Sequence, residues 1–597
     1  MKNLILKYQL LLVCLLALGL YANTLNHDYV YDDHTLTTSN KLTQKGFNGI
    51  PELLKTSYWY GMDGINAGEY RPLSTISFAI EYEFFKHQSF YSHLINILLY
   101  ALSSIILLLV LKQLYQQKHI SKFFPLIVTI LFVAHPIHTE VVANVKSRDE
   151  LLSFLNILLS ILFLFKSIAP SCPVINAPQT TENKFKKPHL ILSLCFFSLA
   201  LFSKESSLPF ILIIPLLLYY FSSIDLKKNM TLSALYTALA LGYLFIRNLV
   251  LDTNIRPGGI VNNSLVGAEN YIERLATAIF IIGKYLVLLV YPHPLVSDYS
   301  YNQIPLVTFS NIHVFLTFII CLSALIYALS NFKSKNLNAF WILYGVIAFS
   351  ITSNLVILIG STMGERFLYA SSLAYCVLLT TLIFKVYRHF KLSDLFFKTS
   401  LIIILLLFSC KTITRNLDWK NNITLFTTDL KNSPNSSSLH GYYGTILMNS
   451  IPTQKSPIEK QKKIDLALSE FKKAVSIYPK HVQAWHYMGR VYTFKNDYKN
   501  AIESFLKSIS LTKIFPEAYF DLGNAYTQTG ALDQAVTAFN KSLEQRPNNF
   551  EAYSNLGVVY AKQKKFTLAI VQFEKALKLD PQNKLILSFL KAARSKL

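Results

Sequence analysis

The sequence predicts an all-α protein in which a polytopic bundle of membrane helices is followed by a solenoid of helix pairs. Long apolar runs recur through the first two thirds of the 597-residue chain, which is 52% hydrophobic and only 15% charged. A soluble chain carries about 25% charged residues. The last third lacks such runs and repeats one pattern of aromatic, glycine and alanine positions. Any function must therefore account for a membrane part and a soluble repeat part.

The C-terminal pattern has a period of 34 residues. Four register positions keep this step: Trp485, Tyr519 and Tyr553; Gly489, Gly523 and Gly557; Ala501, Ala535 and Ala569; Phe505, Phe539 and Phe573. This period is typical of tetratricopeptide helix pairs. We place the solenoid at 435–597, after a linker at 413–434, with a degenerate first unit that carries an insertion at 451–462. Stacked pairs form a groove for a peptide or protein segment, although a spacer or self-assembly array has the same pattern.

The remaining residues, 1–412, form the predicted membrane domain. About 20 apolar residues cross a bilayer, and we favour an uncleaved first span over a cleaved signal peptide because no small-residue cleavage motif follows it. The span candidates are 1–21, 94–111, 123–134, 150–165, 190–202, 208–221, 232–250, 272–291, 311–330, 339–359, 367–385 and 400–410.

The charge distribution predicts the orientation of these spans. The net charge is +23, and many Lys and Arg residues lie in short loops between apolar runs, which is the positive-inside pattern rather than a nucleic-acid surface. If all the basic loops are cytoplasmic, the chain must cross the membrane an even number of times between Asp252 and Phe309. Only one candidate, 272–291, lies there, so we expect it to be re-entrant or interfacial. The result is about 11 crossings, with the solenoid and the loops 23–91 and 251–308 on the noncytoplasmic side.

The six cysteines show no metal-ligand spacing, and only Cys172 lies outside the apolar segments. We therefore expect neither a disulfide framework nor a zinc site.

An acidic pair, Asp32 and Asp33, follows the first span. Adjacent carboxylates repel, so one of them can have a raised pKa suited to general-base catalysis. A helix cap or an Asx turn explains the pair equally well.

Four cations occupy predicted membrane–water junctions, and three of them have acidic neighbours in the chain. These residues are Arg71, Arg148 with Asp149, Lys204 with Glu205, and Arg366 with Glu365. Ionisable groups at such positions are usually functional or paired. One hypothesis is that the cations bind an anionic headgroup such as a polyprenyl phosphate, with Glu205 and Glu365 orienting the substrate. Ion pairing or membrane anchoring is the alternative.

His135, His138 and Glu140 follow the third span. Their spacing does not form the helical His-Glu-x-x-His metal motif, and Pro136 disfavours a regular helix through both histidines. We therefore expect acid–base, substrate-orienting or structural roles and no metal site.

The order of these motifs resembles that of multispan glycosyltransferases with a GT-C fold. More narrowly, the chain resembles the transmembrane O-mannosyltransferases with C-terminal tetratricopeptide repeats that act on cadherins (the TMTC-like family) and their bacterial relatives. The matching stretches are Tyr31-Asp32-Asp33, Tyr70-Arg71-Pro72-Leu73, His93 with Asn96, His135-Pro136-Ile137-His138-Thr139-Glu140, Ser147-Arg148-Asp149-Glu150-Leu151, Lys204-Glu205, Pro294-Leu295 with Asp298-Tyr299-Ser300, and Glu365-Arg366-Phe367-Leu368-Tyr369. Departures occur at Ser147, where the family has Gly, and at Ala370-Ser371, where it has Leu-Pro.

The resemblance implies transfer of a sugar, typically mannose, from a polyprenyl-phosphate donor to Ser or Thr hydroxyls of proteins on the noncytoplasmic side. It places the acidic catalytic residue, which removes the proton of the acceptor hydroxyl, at Asp32 or Asp33. We expect inversion at the anomeric carbon, with His138 and Glu140 orienting donor or acceptor and no cofactor beyond the donor; a need for a divalent cation stays open. The membrane is the inner membrane with periplasmic repeats in a bacterium, or the endoplasmic reticulum with lumenal repeats in a eukaryote. Two alternatives stay open: a glycolipid or polysaccharide transferase, and a noncatalytic membrane scaffold.

Overall fold

The computed structural model describes residues 2–116, 118, 120–168, 186–252 and 259–597, and no β-strand occurs within these ranges. The all-helical prediction is confirmed. The chain forms two units: one comprises Met1–Tyr299 and Ile304–Asn432, and the other comprises Ser300–Gln303 and Ser433–Leu597. Cys172, the one cysteine predicted outside the apolar segments, lies outside the described residues.

The first unit is built from apolar helices of very different lengths. Its α-helices are α1 (Lys2–Tyr21), α2 (Ile50–Leu53), α3 (Tyr60–Asp63), α4 (Pro72–Phe85), α5 (Ser89–Tyr115), α6 (Phe124–Ala134), α7 (Thr139–Ala143), α8 (Arg148–Ile168), α9 (Lys187–Ser203), α10 (Phe210–Phe221), α11 (Leu226–Val250), α12 (Tyr271–Val290), α13 (Ile312–Ser330), α14 (Leu337–Phe349), α15 (Ser372–His389), α16 (Asp394–Asp418) and α17 (Asn422–Asn432). Short 3-10 helices join them at Ala22–Thr24, Tyr31–Thr35, Thr43–Gly49, Pro136–His138, Val145–Ser147, Glu205–Ser207, Ser264–Gly267, Ile351–Ser353 and Glu365–Leu368.

Polar residues define where several of these helices begin. Asp225, Asn270, Asn311, Asn336 and Ser393 each accept a hydrogen bond from a backbone N–H of the first turn. Such N-caps satisfy donors that no helical carbonyl can reach. Short polar interruptions between apolar runs are therefore sufficient to separate the helices.

The membrane part contains six helices that are long and apolar enough to cross a bilayer, counted over the described residues by length and composition. The bent pair Phe124–Ala134 and Pro136–Ala143 raises this number to seven. Helix α12 is not among the six, and it carries Glu273, Arg274 and Lys284. These helices fit a multi-pass membrane protein, while the count of about 11 crossings and the re-entrant or interfacial position of 272–291 stay predictions.

The segment 413–434, predicted as a linker, contains helix in the structure. Helix α16 continues to Asp418, and α17 follows within the same unit. The buried Arg415 guanidinium donates to both carboxylate oxygens of Asp429, at 2.7 and 3.2 Å. This charge-assisted pair explains why a polar stretch is held as helix.

The second unit is a series of helix pairs: α18 (Ser437–Asn449), α19 (Pro457–Ile477), α20 (Val482–Phe494), α21 (Tyr498–Ser510), α22 (Pro516–Gln528), α23 (Leu532–Gln545), α24 (Phe550–Lys562), α25 (Phe566–Leu579) and α26 (Lys584–Arg594). A Cβ atom on Gly523 would lie 2.8 Å from the Phe539 ring, which is closer than side chains pack. The phenylalanine ring of the second helix therefore fits only against a glycine of the first. The same contact between Gly444 and Phe471 shows that the first pair keeps this packing despite the insertion at 451–462.

Candidate active site

The two carboxylates of the acidic pair lie in different environments. Asp33 is fully buried, and its two oxygens accept hydrogen bonds from the backbone N–H groups of Val30 and Lys146, at 2.9 and 2.7 Å. Burial raises the pKa of Asp33 to about 7, since desolvation disfavours the charged carboxylate. Asp33 therefore caps the 3-10 helix Tyr31–Thr35 and ties it to the segment that precedes α8.

Asp32 is the accessible member of the pair, because about a third of its side chain, 30%, is exposed. The preceding Tyr31 has a left-handed φ of 57°, a conformation that is rare for bulky residues. This conformation is stabilised by the Asn422 side chain, which accepts from the Tyr31 N–H at 2.8 Å, and by an edge contact with the Phe426 ring. The strained turn thus points one carboxylate inward and leaves the other accessible.

Lys146 is a residue of this site that the sequence analysis did not single out. Its ammonium lies 3.8 Å from the Asp32 carboxylate and over the rings of Trp59 and Tyr58, at 5.3 and 5.9 Å from their centroids. Its charge also interacts with that of Arg366. In the sequence, the feature that could have identified Lys146 is its position directly before Ser147-Arg148-Asp149-Glu150, where a charged residue follows a mostly apolar stretch.

Arg366 carries the second cation near the acidic pair. Glu140, which is fully buried, accepts from the Arg366 backbone N–H at 2.9 Å and pairs with Nη1 of its guanidinium. Glu140 and then Asp32 hold the Arg366 pKa well above its usual range, although burial alone would lower it. Glu140 therefore orients Arg366, and the structure brings Asp32, Lys146 and Arg366 into one electrostatic environment.

Arg71 and Lys204 lie in a neighbouring, carboxylate-rich network. Asp149 joins them, since its two oxygens lie 2.9 Å from Arg71 Nη1 and 3.1 Å from Lys204 Nζ. Glu205 accepts a hydrogen bond from Arg71 Nε at 2.8 Å, and Glu150 forms an ion pair with Lys204 at 2.9 Å. These contacts favour ion pairing, rather than binding of an anionic headgroup, as the role of both cations. Glu205 orients Arg71.

Arg148 does not face the acidic pair. Its side chain is fully buried, pairs with Glu81 at 2.6 Å and donates to the Asn96 side chain at 2.9 Å. Its guanidinium also lies 4.1 Å from the centroid of the Phe78 ring. A buried guanidinium with this many partners holds α8 against α4 and α5, and the predicted contact with a donor phosphate is not available to it.

Glu365 lies in a buried network that fixes the segment before α13. Its Oε1 accepts from the Tyr299 hydroxyl at 2.9 Å and from the Val296 N–H at 2.6 Å. Burial raises the Glu365 pKa to about 8, although the nearby Arg415 opposes this shift. Glu365 thus holds the segment that contains Val296 and Tyr299 against the residues next to Arg366.

The two histidines are buried in the first unit, with protein partners on their ring nitrogens. His138 lies between the Tyr100 hydroxyl, at 3.0 Å, and the Ser372 hydroxyl, at 2.9 Å. His135 pairs with the Leu289 carbonyl at 2.9 Å and accepts from the Ile137 N–H at 3.2 Å. Of the roles predicted for them, structural hydrogen bonding is the one that these contacts favour. Within the described ranges, no group of three or more His, Cys, Asp or Glu residues is arranged to hold a metal ion.

Comparisons with known proteins support both parts of the chain. A family model described as "TPR repeat" matches residues 489–530 and 523–564, and one described as "Tetratricopeptide repeat" matches 550–583. A solved structure, "Crystal structure of MamA", is 22% identical and covers 29% of this chain and 94% of its own, with a TM-score of 0.25.

Curated relatives match most of the chain. "Protein O-mannosyl-transferase F38B6.6" of Caenorhabditis elegans is 28% identical over 73% of this chain and 60% of its own length. "Protein O-mannosyl-transferase TMTC3" of Homo sapiens is 26% identical over 81% of this chain and 53% of its own. The chain thus spans little more than half the length of these relatives. The predicted resemblance is confirmed: the chain is similar over most of its length to TMTC-family protein O-mannosyl-transferases, and it carries C-terminal tetratricopeptide repeats.

Proposed function

We propose that this protein is a membrane glycosyltransferase that moves a sugar, mannose, from a polyprenyl-phosphate donor to Ser or Thr hydroxyls of proteins on the noncytoplasmic side. The observation that carries the proposal is the accessible Asp32 carboxylate, held 3.8 Å from the Lys146 ammonium and within the field of Arg366. A carboxylate base and two cations are the groups that proton abstraction and a departing phosphate require. The names of the relatives support mannose as the sugar and protein as the acceptor.

Asp32 serves as the general base in this proposal. It takes the proton of the acceptor hydroxyl, whose oxygen forms a bond to the anomeric carbon from the face opposite the phosphate. The bond from that carbon to the phosphate oxygen breaks, and the polyprenyl phosphate leaves with the electron pair. The configuration inverts in this single displacement. Arg366 stabilises the negative charge that develops on the leaving phosphate.

The solenoid collects the protein acceptor. The repeat matches and the nine helices of the second unit, counted over the described residues, support a protein-interaction role. Stacked helix pairs of this kind offer a concave face to an extended segment. The membrane domain lies in the inner membrane of a bacterium or the endoplasmic reticulum of a eukaryote, with the solenoid on the noncytoplasmic side.

Transfer from labelled polyprenyl-phosphate mannose into protein by the purified, detergent-solubilised chain tests this function. We expect label in Ser and Thr residues with the wild type and none with Asp32→Asn. Parallel reactions with EDTA and with Mg²⁺ determine whether a divalent cation is needed. Label in a glycolipid instead of protein would identify a lipid or polysaccharide transferase, and the absence of transfer from a panel of lipid-linked sugars would favour the scaffold.

A further inference from the structure

Three of the four cations first assigned to donor binding are either held by two protein carboxylates or fully buried. Arg71 contacts Glu205 and Asp149, at 2.8 and 2.9 Å, and Lys204 contacts Asp149 and Glu150, at 3.1 and 2.9 Å. Because carboxylates outnumber cations in this network, a further anion would meet net negative charge. Arg148 is fully buried against Glu81. An anionic ligand therefore needs a different cation.

The Lys146 ammonium, unlike these cations, has no hydrogen-bonded acceptor among the described residues. The Lys146 side chain is 7% exposed, so the ammonium is largely removed from water. The nearest carboxylate, that of Asp32, lies 3.8 Å away, and no hydrogen bond to the ammonium occurs among the described residues. A desolvated ammonium without a hydrogen-bonded acceptor is an unfavourable arrangement that an added oxyanion would relieve.

The rest of the Lys146 environment fixes the position of this ammonium. Its backbone N–H donates to the buried Asp33 at 2.7 Å, and its carbonyl accepts from the Tyr58 hydroxyl at 3.4 Å. The rings of Tyr58 and Trp59 flank the ammonium at 5.9 and 5.3 Å, which favours a cation there without supplying a hydrogen bond. The site is thus held in place before any ligand arrives.

Arg366 offers the complementary donors. Glu140 engages its backbone N–H and its Nη1, whereas its Nε and Nη2 make no hydrogen bond within the described part of the chain. The side chain is 12% exposed, and its charge interacts with that of Lys146. Lys146, which lies 3.8 Å from the Asp32 carboxylate, and Arg366, whose charge interacts with that of Asp32, therefore both keep unused donors.

We propose that the Lys146 ammonium, together with Nε and Nη2 of Arg366, binds the phosphate of the polyprenyl donor. This inference rests on the proposed function, because it assumes a lipid-linked phosphate donor. Lys146 and Arg366 then hold the phosphate of the leaving group, while Asp32 takes the proton of the acceptor hydroxyl. Arg71, Lys204 and Arg148 then maintain the fold around this site.

Binding to the full chain in nanodiscs of zwitterionic lipid tests the assignment without depending on turnover. The probes are farnesyl phosphate, farnesol as its uncharged match, and inorganic phosphate. We expect the wild type to bind farnesyl phosphate at least about tenfold more tightly than farnesol, since a charge-assisted hydrogen bond contributes on that order. Lys146→Met and Lys146→Gln should lose about tenfold in affinity for farnesyl phosphate and keep their affinity for farnesol.

Two matched variants control for charge and folding. Lys146→Arg retains the cation and should bind farnesyl phosphate within about threefold of the wild type. Lys55→Met removes an exposed lysine of the 23–91 loop and should bind as the wild type does. Unchanged thermal unfolding of the Met or Gln variant shows that the loss arises at the site rather than from the fold.

Each outcome decides between the proposals. Wild-type affinity in the folded Lys146→Met and Lys146→Gln variants overturns the role of Lys146 and leaves the donor class intact. A wild type that binds farnesyl phosphate no better than farnesol overturns the lipid-phosphate donor and the role of Lys146 with it. Equal affinity for inorganic phosphate assigns the site to free phosphate and also overturns the inference. In a transfer assay, replacing Lys146 by Met or Gln should mainly raise the KM for the donor.

Discussion

The two neighbouring aspartates offer a sharp test, because the structure gives each of them a different task. Replacing each by asparagine removes one charge and keeps the shape of the side chain. Asp32 is 30% exposed and contacts Lys146 only at 3.8 Å, whereas Asp33 is fully buried and accepts two backbone hydrogen bonds. We therefore expect Asp32→Asn to remove activity and Asp33→Asn to reduce stability.

The magnitudes follow from these contacts. An asparagine at position 33 has one carbonyl oxygen, so its amide nitrogen would face one of the two buried N–H donors, those of Val30 and Lys146. Leaving a buried donor unsatisfied costs about 1–3 kcal/mol, enough to lower the Tm by a few degrees. The contact of Asp32 is partly exposed, and its loss should change stability by less than about 1 kcal/mol. Loss of a general base at Asp32 should lower kcat by roughly 10²–10⁴-fold.

The assay compares both purified variants with the wild type in parallel, by thermal unfolding in detergent and by transfer of labelled sugar. Asp33→Glu serves as a further control, because it keeps the charge but is too long for the same two hydrogen bonds. The reasoning is refuted if Asp33→Asn unfolds as the wild type does but fails to transfer sugar, while Asp32→Asn remains active.

Two further predictions concern stability. Because the Glu365 pKa is raised to about 8 in the folded state, its contribution to stability is complete at about pH 4 and is lost as the pH rises through about 8. The Tm should therefore fall over this range, and should fall less in Glu365→Gln, which stays neutral and still accepts from Tyr299; equal slopes in the two proteins would contradict this. In the solenoid, Gly523→Ala places a methyl group 2.8 Å from the Phe539 ring and should cost about 1–3 kcal/mol. Calorimetry of the full chain should show partial recovery in Gly523→Ala/Phe539→Leu and little change in Gln528→Ala, an exposed control on the same helix; an unchanged Gly523→Ala would contradict the packing argument.

The repeat register needed no tertiary information, because the same contact recurs in every helix pair. In the three regular repeats the glycine meets the ring of the phenylalanine 16 residues later, as Gly489 meets Phe505 and Gly557 meets Phe573. A local contact that recurs in each repeat requires the same residue types at a constant spacing in the sequence. The segment 413–434 shows the opposite case, since its helices depend on the buried pair of Arg415 and Asp429, which no local pattern reveals.

The candidate site was predicted only in part. The sequence identified the acidic pair, Arg366 and Glu140 as groups of interest, but it could not separate Asp32 from Asp33. It also grouped Arg71, Lys204 and Arg148 with Arg366, because all four follow the same rule of a charge at the end of an apolar run. Their differences arise from partners far away in the chain, such as Glu205 for Arg71.

Hydropathy and a 34-residue period are properties of neighbouring positions, so the helical class, the repeat solenoid and most of the charged groups of interest could be predicted from the sequence. Which charges are neutralised and which keep unused donors became visible in the folded chain. That outcome depends on burial and on ion pairs between distant segments, and the desolvation of a carboxyl or an ammonium is set by everything packed around it. For this reason Lys146, inconspicuous in the sequence, becomes the cation beside Asp32 once the chain is folded.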